Sequence, residues 1–272
     1  MTSESLLQTT LTAAVEAGNE IMKVYTSPEA DWEVERKADN SPLTLADRKA
    51  HAVIADFLNP TPYPLLSEEG QHDDYALRRD WERLWIVDPL DGTKEFLKRN
   101  GEFTVNIALV ERGVPVMGVI YVPVARVLYW GHTAAFADGA AAWRAEVGAE
   151  GNLLRQVRLP LADQPGRPYT VVASRSHLSA ETQAFVDGVR ASHPDVELHS
   201  AGSSLKICLV AEGRADIYPR LAPTMEWDTA AGHAIALGAG CEVVDAATGR
   251  AVVYNKPDLH NPFFIVRRPG ND

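Results

Sequence analysis

The amino-acid sequence predicts a layered α/β fold. In the second half of the chain, strand-like segments alternate with segments of helical periodicity, whereas in the first half two helical segments precede a run of hydrophobic strands. Of the 272 residues, 46% are hydrophobic and 23% are charged, which is the composition of a globular protein. This length suffices for one large domain or two modest ones.

The first half begins with two helices. Apolar residues between Leu7 and Tyr25 recur at helical spacing, which predicts an amphipathic helix against a core. After a polar loop, Thr44 is positioned as the N-cap of a second helix, which runs through TLADRKAHAVIADFL. Prolines at positions 60, 62 and 64 separate this helix from a short strand at Leu65–Leu66.

A run of strands follows. Residues 85–87 predict a buried strand, residues 104–123 predict two strands around a turn at Glu111–Gly113, and residues 127–131 extend the meander. Residues 133–168 are rich in Ala, Gly and polar residues and predict a small hairpin and a connection. We place a domain boundary near residue 160, so that residues 1–160 and 161–272 form two α/β domains.

The second half alternates between the two element types. Strands are predicted at YTVVAS, ADIYPR and CEVVD, and helices at residues 179–192, 203–213 and 224–240. Such alternation is typical of helices packed on the faces of a sheet.

The net charge, the N-terminal sequence and the cysteines indicate which binding partners and which cellular compartment to expect. A formal net charge of −11 argues against a nucleic acid or an anionic membrane as the main partner, but it allows a small anionic substrate because bound cations reverse the local sign. The N-terminus lacks a signal peptide pattern and no apolar run is long enough to cross a bilayer. Cys208 and Cys241 lie in apolar segments, as expected of reduced core thiols. We expect a cytoplasmic protein; peripheral membrane contact and the oligomeric state stay open.

Four acidic residues lie at the ends of predicted elements. Asp88 and Asp91 follow the strand at residues 85–87. Glu68 follows the strand before it, and Asp228 opens an apolar helix. Ligands of open α/β sheets bind outside the carboxyl ends of strands, and converging carboxylates there need a counter-charge. Mg²⁺ fits, because it prefers carboxylate and carbonyl oxygens and keeps water and substrate phosphates in its shell.

Each of these acids also has an ordinary explanation. An aspartate after a strand is commonly a turn residue, Asp228 could be favoured by the helix dipole, and Glu68 could be solvated in a loop. The spacing D-x-x-D-G-T is harder to explain in this way, because Pro89 stiffens the turn between the two acids.

The residues after Asp91 offer groups for a phosphate and a water. Gly92 and Thr93 lead into KEFLK, where backbone N–H groups can bind a phosphate, and the Thr93 hydroxyl can hold a nucleophilic water. Asp47 is the candidate partner of Thr93. The spacing of Thr44 and Asp47 also predicts a capping box, and the two roles are compatible if one carboxylate oxygen caps the helix while the other reaches Thr93.

Three motifs in this order resemble the inositol-monophosphatase superfamily of metal-dependent, lithium-sensitive phosphatases. The motifs are SEEG, WIVDPLDGTKEF and EWDTAAGHA, and the resemblance runs over most of the chain, being weakest across residues 131–168. It implies a five-layer αβαβα sandwich, the fold of inositol monophosphatases and fructose-1,6-bisphosphatases.

Within that superfamily the sequence is most similar to the 3′(2′),5′-bisphosphate nucleotidases of the CysQ type. The stretches KADNSPLTLAD, DGTKEFLKRNGEFTVNIALV, ASRSH and GSSLKICLVAEG carry this similarity. It implies a phosphatase that uses two or three Mg²⁺ ions to hydrolyse adenosine 3′,5′-bisphosphate to AMP and phosphate, with 3′-phosphoadenylyl sulfate as a second substrate.

The resemblance also implies a role for each matching residue. Asp47 and Thr93 would activate water. The metal ligands would be Glu68, Asp88, Asp91, Asp228 and the backbone carbonyl of Leu90. The substrate would contact Glu68, Asp91, Gly92, Thr93, Ser176, His177, Ser203, Lys206 and Asp228, and Arg175 could add positive charge. The alternative for His177 is a surface loop residue, and for Lys206 a solvated helix residue.

Two other functions are compatible with these motifs. The first is a phosphatase of inositol monophosphate or fructose 1,6-bisphosphate. The second is a non-catalytic metal or nucleotide sensor, which is disfavoured because every expected ligand position carries a suitable side chain.

Overall fold

The computed structural model describes residues 1–37, 42–162, 166–173 and 179–269. Its α-helices are α1 (Ser3–Tyr25), α2 (Leu45–Leu58), α3 (Tyr75–Arg78), α4 (Thr93–Leu97), α5 (Ala180–Ser192), α6 (Leu205–Glu212) and α7 (Glu226–Gly238). Its strands are β1 (Glu35–Arg36), β2 (Pro42–Leu43), β3 (Leu65–Ser67), β4 (Arg83–Asp91), β5 (Thr104–Glu111), β6 (Val114–Val122), β7 (Val127–His132), β8 (Ala141–Val147), β9 (Leu153–Leu159), β10 (Tyr169–Ala173), β11 (Val196–Ser200), β12 (Ile217–Arg220), β13 (Glu242–Asp245) and β14 (Phe264–Arg267).

These elements form five layers. Helices α1 and α2 cover one face of a seven-stranded sheet whose strands follow chain order from β3 to β9. Helices α6 and α7 lie between this sheet and a five-stranded sheet of order β11-β10-β12-β14-β13. Helix α5 packs on the outer face of the smaller sheet. The expected αβαβα sandwich is therefore confirmed.

The hydrophobic strands of the first half are buried on both faces. Along β4, Trp85 and Val87 pack toward α1 and α2, whereas Leu84 and Ile86 pack toward α6 and α7. Successive side chains of a strand point to opposite faces, so a strand covered on both faces needs apolar residues at every position. This requirement explains why the strand reads as an unbroken apolar run that ends abruptly in aspartates.

Helix α7 lies unusually close to the larger sheet because glycines face it. An added Cβ at Gly118 in β6 would lie 2.8 Å from the Cα of Ala231, and one at Gly131 in β7 would lie 2.8 Å from the Cα of Ile235. The helix that begins at Glu226 is thus fixed against the sheet by backbone contact.

Several elements differ from the sequence-based expectation. The predicted hairpin within residues 133–168 is present as β8 and β9, and it extends the antiparallel meander to six strands, β4 to β9, within the seven-stranded sheet. Strands β1, β2, β11 and β14 were not predicted. Strands β1 and β2 pair with each other where a polar loop was expected, and β11 is largely exposed and carries little apolar signal. The domain boundary near residue 160 stays a prediction, which is supported by the passage of the chain from one sheet to the other between β9 and β10.

Two other expectations concern the cysteines and the membrane. Cys208 and Cys241 are both buried and free, as predicted for core thiols. Among the described residues, none of the helices combines the length and the hydropathy that a membrane span requires.

Candidate active site

Three aspartates from two parts of the chain meet at the carboxyl end of β4. Asp88 and Asp91 belong to the last residues of β4, and Asp228 lies in the first turn of α7. Each offers one carboxylate oxygen, and these oxygens all lie within 4.8 Å of one another. The sequence predicted that four acids converge; three of them meet here, and the fourth, Glu68, lies in the same cavity wall.

The charges of this cluster oppose one another in a buried place. Burial, followed by the charges of Glu68 and Asp91, raises the pKa of Asp88 well above its ordinary value. Burial and the charge of Asp91 raise the pKa of Asp228 to about 8. The ionised form of these carboxylates is unfavourable unless a positive charge lies between them. A divalent cation such as Mg²⁺ prefers hard oxygen ligands and would neutralise the carboxylates together.

Glu68 lies beside the cluster with a lysine as its counter-ion. The Glu68 N–H donates to the carbonyl oxygen of Val87 at 3.0 Å, which fixes the chain next to β4. Lys37 Nζ lies 2.7 Å from Glu68 Oε1 and also contacts Glu69. Burial opposes the charge on Lys37, but the two glutamates outweigh it and raise the pKa of its ammonium group. Glu68 lies in the cavity wall, and its role as a metal ligand stays a prediction; Lys37 was not included in the sequence interpretation.

Asp47 caps α2 with one carboxylate oxygen and contacts Thr93 with the other. Its Oδ2 accepts hydrogen bonds from the Thr44 N–H at 2.7 Å and the Thr44 hydroxyl at 2.5 Å. Its Oδ1 accepts a hydrogen bond from the Thr93 hydroxyl at 3.2 Å. The prediction that the cap and the contact coexist is confirmed. Burial raises the pKa of Asp47 to about 6.

A left-handed turn brings Thr93 to this position. Gly92 precedes α4 with a φ of 92°, which glycine adopts without a Cβ clash, and an added Cβ would lie 3.4 Å from the carbonyl oxygen of Glu102. The Thr93 hydroxyl then lies 3.4 Å from the carbonyl oxygen of Leu90. The backbone carbonyl of Leu90 and the hydroxyl of Thr93 therefore lie next to each other and face the same side of this turn.

Lys206 lies in the cavity wall and not on a solvated helix face, which was its alternative. It is 6% exposed, and its Nζ donates to the carbonyl oxygens of Ser203 at 2.7 Å and Ala201 at 3.3 Å. Burial lowers the pKa of Lys206 to about 8. The buried hydroxyl of Ser203 has no hydrogen-bond partner within the described ranges. The predicted contacts at Ser176 and His177, and the adjoining Arg175, fall outside the described residues.

The sequence interpretation missed two residues of the cavity wall, Ser204 and Arg220, and also missed Asn106, which contacts the wall residue Asp91. The N–H and hydroxyl groups of Ser204 both lie 2.7 Å from Asp91 Oδ2, and Asn106 Nδ2 donates to the same oxygen at 3.2 Å. Arg220, at the end of β12, faces the cavity, and its charge counteracts the raised pKa of Asp228. Two signals were available: Asn106 is a polar residue inside a buried strand, and Arg220 ends a strand as the acids do.

Glu226, the first residue of α7, contacts a loop that precedes β14. Its carboxylate accepts hydrogen bonds from the N–H groups of Asn255 at 2.6 Å and Lys256 at 3.0 Å, and it is fully buried. These contacts fix the start of α7, where Asp228 lies.

The groups described above surround one cavity of about 330 Å³, within the size range of small-molecule sites. Its wall combines acids with the basic residues Lys94, Lys206 and Arg220. The predicted site residues found in this wall are Glu68, Asp88, Leu90, Asp91, Gly92, Thr93, Ser203, Lys206 and Asp228. Asp47 reaches the wall through Thr93.

Comparisons with known proteins agree with this arrangement. The chain is 48% identical over 253 residues to the 3′(2′),5′-bisphosphate nucleotidase CysQ of Escherichia coli strain K12, with 92% of this chain and 94% of the relative covered. It is 48% identical over 264 residues to the CysQ nucleotidase of Salmonella typhimurium, with 96% and 99% covered. The crystal structure of CysQ from Bacteroides thetaiotaomicron superimposes with a TM-score of 0.86 at 56% identity, covering 97% of each chain.

A more distant structure supports the fold. The Thermotoga maritima inositol monophosphatase TM1415 superimposes with a TM-score of 0.71 at 22% identity, covering 97% of this chain and 92% of that one. The family model described as "Inositol monophosphatase family" matches residues 2–265. The chain therefore belongs to the inositol monophosphatase family.

Proposed function

We propose that this protein is a Mg²⁺-dependent phosphatase that removes the 3′-phosphate of adenosine 3′,5′-bisphosphate, giving AMP and phosphate. One observation carries the proposal: a cluster of one buried and two half-buried aspartates shares a cavity with the hydroxyl of Thr93, which is paired with Asp47, and with three basic side chains. The names of the relatives that are 48% identical over nearly the whole chain support this substrate class.

The pair formed by Thr93 and Asp47 orients the attacking water in this proposal. The Thr93 hydroxyl donates to Asp47 Oδ1, so its oxygen is free to accept a hydrogen bond from a water in the cavity. As the water oxygen forms its bond to phosphorus, the proton of the water passes to Thr93 and the threonine proton to Asp47. A pKa of about 6 suits Asp47 to this work, because the group is ionised at neutral pH yet close to protonation.

The acids of the cavity hold the cations. Asp88, Asp91 and Asp228 supply carboxylate oxygens, Glu68 a fourth carboxylate, and Leu90 its backbone carbonyl. Bound Mg²⁺, as two or three ions, would neutralise the phosphoryl oxygens and the leaving 3′-oxygen and favour ionisation of the attacking water. The bond between phosphorus and the 3′-oxygen breaks as the new bond forms, so no phosphorylated side chain is needed.

The second phosphate needs positive charge that an acidic protein lacks overall. Lys206 and Arg220 supply it within the cavity, and the unpartnered hydroxyl of Ser203 offers a further hydrogen bond. A substrate with a 5′-phosphate or a 5′-phosphosulfate would use the same groups. We therefore include 3′-phosphoadenylyl sulfate, which would yield adenylyl sulfate, as a substrate.

Phosphate release with four substrates tests the proposal. The purified protein is assayed with adenosine 3′,5′-bisphosphate, 3′-phosphoadenylyl sulfate, inositol 1-phosphate and fructose 1,6-bisphosphate, each with Mg²⁺, with Mg²⁺ and Li⁺, and with EDTA. We expect the two nucleotides to give the highest kcat/KM, EDTA to abolish release, and Li⁺ to inhibit it. A higher kcat/KM for inositol 1-phosphate or for the sugar bisphosphate would contradict the nucleotide assignment.

A further inference from the structure

Ser204 joins two of the aspartates that come from different parts of the fold. It precedes α6, is 3% exposed, and directs both its N–H and its hydroxyl to Asp91 Oδ2, each at 2.7 Å. The same hydroxyl lies 2.7 Å from the backbone carbonyl oxygen of Asp228. A single side chain therefore contacts the end of β4 and the first turn of α7.

Asn106 completes this connection from β5. Its Nδ2 donates to Ser204 Oγ at 2.8 Å and to Asp91 Oδ2 at 3.2 Å, and its Oδ1 accepts from the Thr104 hydroxyl at 2.9 Å. Because an ionised carboxylate only accepts hydrogen bonds, the amide nitrogen of Asn106 is the end that faces Asp91. Because Ser204 Oγ accepts from Asn106, its single proton is directed to Asp91 or to the carbonyl oxygen of Asp228.

These contacts determine the orientation of the Asp91 carboxylate. Two N–H donors and the Ser204 hydroxyl lie within hydrogen-bond distance of Oδ2, so the carboxylate cannot rotate without breaking at least two hydrogen bonds to a charged group. In the described part of the chain no hydrogen bond reaches the other oxygen, Oδ1, which leaves it for a ligand. Hydrogen-bonded partners that orient metal-ligating carboxylates in this way tune metal affinity.

We propose that Ser204 and Asn106 are positioning residues that fix the Asp91 carboxylate and tie it to the turn that carries Asp228, so that both aspartates hold one cation. This inference rests on the proposed function, in that it takes Asp91 and Asp228 as metal ligands. It assigns a role to a loop and a strand residue that make no direct contact with the cation.

Metal binding without substrate tests this role. Mn²⁺ is titrated into the wild type, Ser204→Ala and Asn106→Ala, and free Mn²⁺ is measured by electron paramagnetic resonance. We expect Mn²⁺ affinity to fall about 10-fold to 100-fold in Ser204→Ala, the range for lost partners of metal ligands, and to fall less in Asn106→Ala, which leaves both Ser204 donors in place. In kinetics, the Mg²⁺ concentration for half-maximal rate should rise, whereas kcat at saturating Mg²⁺ should return toward the wild-type value.

A matched control separates positioning from general stability. Thr61 is a buried threonine whose hydroxyl donates to the carbonyl oxygen of Leu58 at 2.6 Å and accepts from Trp85 Nε1 at 2.8 Å. Thr61→Ala should lower Tm and leave Mn²⁺ affinity unchanged. Wild-type Mn²⁺ affinity in a folded Ser204→Ala protein would overturn the inference, and if that variant does not fold, wild-type affinity in Asn106→Ala would do so. A wild type that binds Mn²⁺ but releases no phosphate from nucleotides would contradict only the proposed function.

Discussion

Thr93 Oγ1 lies 3.2 Å from Asp47 Oδ1, although 46 positions separate the two residues in the sequence. The aspartate belongs to the first turn of α2 and is 2% exposed, and its second oxygen is held by Thr44. The threonine is held by the left-handed turn at Gly92. Both partners are thus fixed by the fold, as the proposed role of this pair in orienting a water requires.

Asp47→Asn tests the chemical part of this pair. We expect kcat for adenosine 3′,5′-bisphosphate to fall about 10²-fold to 10⁴-fold, the usual contribution of proton transfer by a side chain, with a small change in KM. The control is Thr44→Ala, which weakens the same helix cap by about 1 kcal/mol but keeps the carboxylate. Both variants are compared by steady-state kinetics and thermal melts. An equal loss of kcat in Thr44→Ala would show that the weakened helix cap, and not the loss of the Asp47 carboxylate, lowers the rate.

Asp91→Asn tests the cation site. We expect the rate to fall by several orders of magnitude at every Mg²⁺ concentration, because one anionic ligand is lost. In EDTA, however, Tm should stay the same or rise, because one of the mutually repelling charges in the cluster has gone. Near-normal turnover of the variant would disprove the assignment of Asp91 as a ligand.

Lys206 and Arg220 are testable as the binding site of the second phosphate. Lys206→Met is preferable to alanine, because the side chain packs within the wall and its Nζ holds the loop at residues 201–203. We expect each variant, including Arg220→Met, to raise KM for adenosine 3′,5′-bisphosphate about 10-fold to 100-fold, the effect of one lost hydrogen bond to a charged group. For adenosine 3′-monophosphate, KM should change little; equal losses on both substrates would rule out this role.

The stability of the protein in EDTA should decrease as pH rises from 6.5 to 8. The pKa of Asp228 is about 8 in the folded state, above its ordinary value of 3.8, so the folded state holds a proton that the unfolded state has lost. Raising the pH through this window therefore favours unfolding. His233 acts in the opposite sense below pH 6.5, because burial lowers its pKa to about 3 and acid favours the unfolded state.

Thermal melts of the wild type and Asp228→Asn at several pH values check this expectation. The wild-type Tm in EDTA should fall between pH 6.5 and 8, and the variant should show a smaller slope. Added Mg²⁺ should raise the wild-type Tm more at pH 8 than at pH 6.5, because the cation competes with protons for the carboxylates. A Tm gain from Mg²⁺ that does not depend on pH would contradict the linkage.

Hydrophobic periodicity was sufficient to predict most of the layers. Helices α1, α2 and α7 and the strands from β4 to β7 carry strong patterns, because each is covered on a wide face or on both faces. Strand β11 could not be predicted in this way. It lies at the edge of the smaller sheet and is largely exposed, so few of its side chains had to be apolar.

The site residues were predictable where their chemistry is tied to a position in an element. Asp88 and Asp91 end a strand, and Asp47 sits three positions after an N-cap. Ser204 and Lys37 do not occupy a position in a helix or strand that would identify them as site residues. Their importance comes from contacts with residues 113 and 31 positions away, and spacing along the chain contains no information about such contacts.

The glycines between α7 and the larger sheet have a consequence for ion choice. Since main chain touches main chain at Gly118 and Gly131, the separation between the oxygens from β4 and α7 depends on backbone contact and leaves little room for adjustment. Rigid spacing suits a small ion with strict geometry, whereas Ca²⁺ tolerates wider and more variable shells. Inserting a methyl group far from the acids, as in Gly131→Ala, should therefore widen the gap and raise the affinity of the proposed cation site for Ca²⁺ relative to Mg²⁺, which a competition titration of the two ions measures.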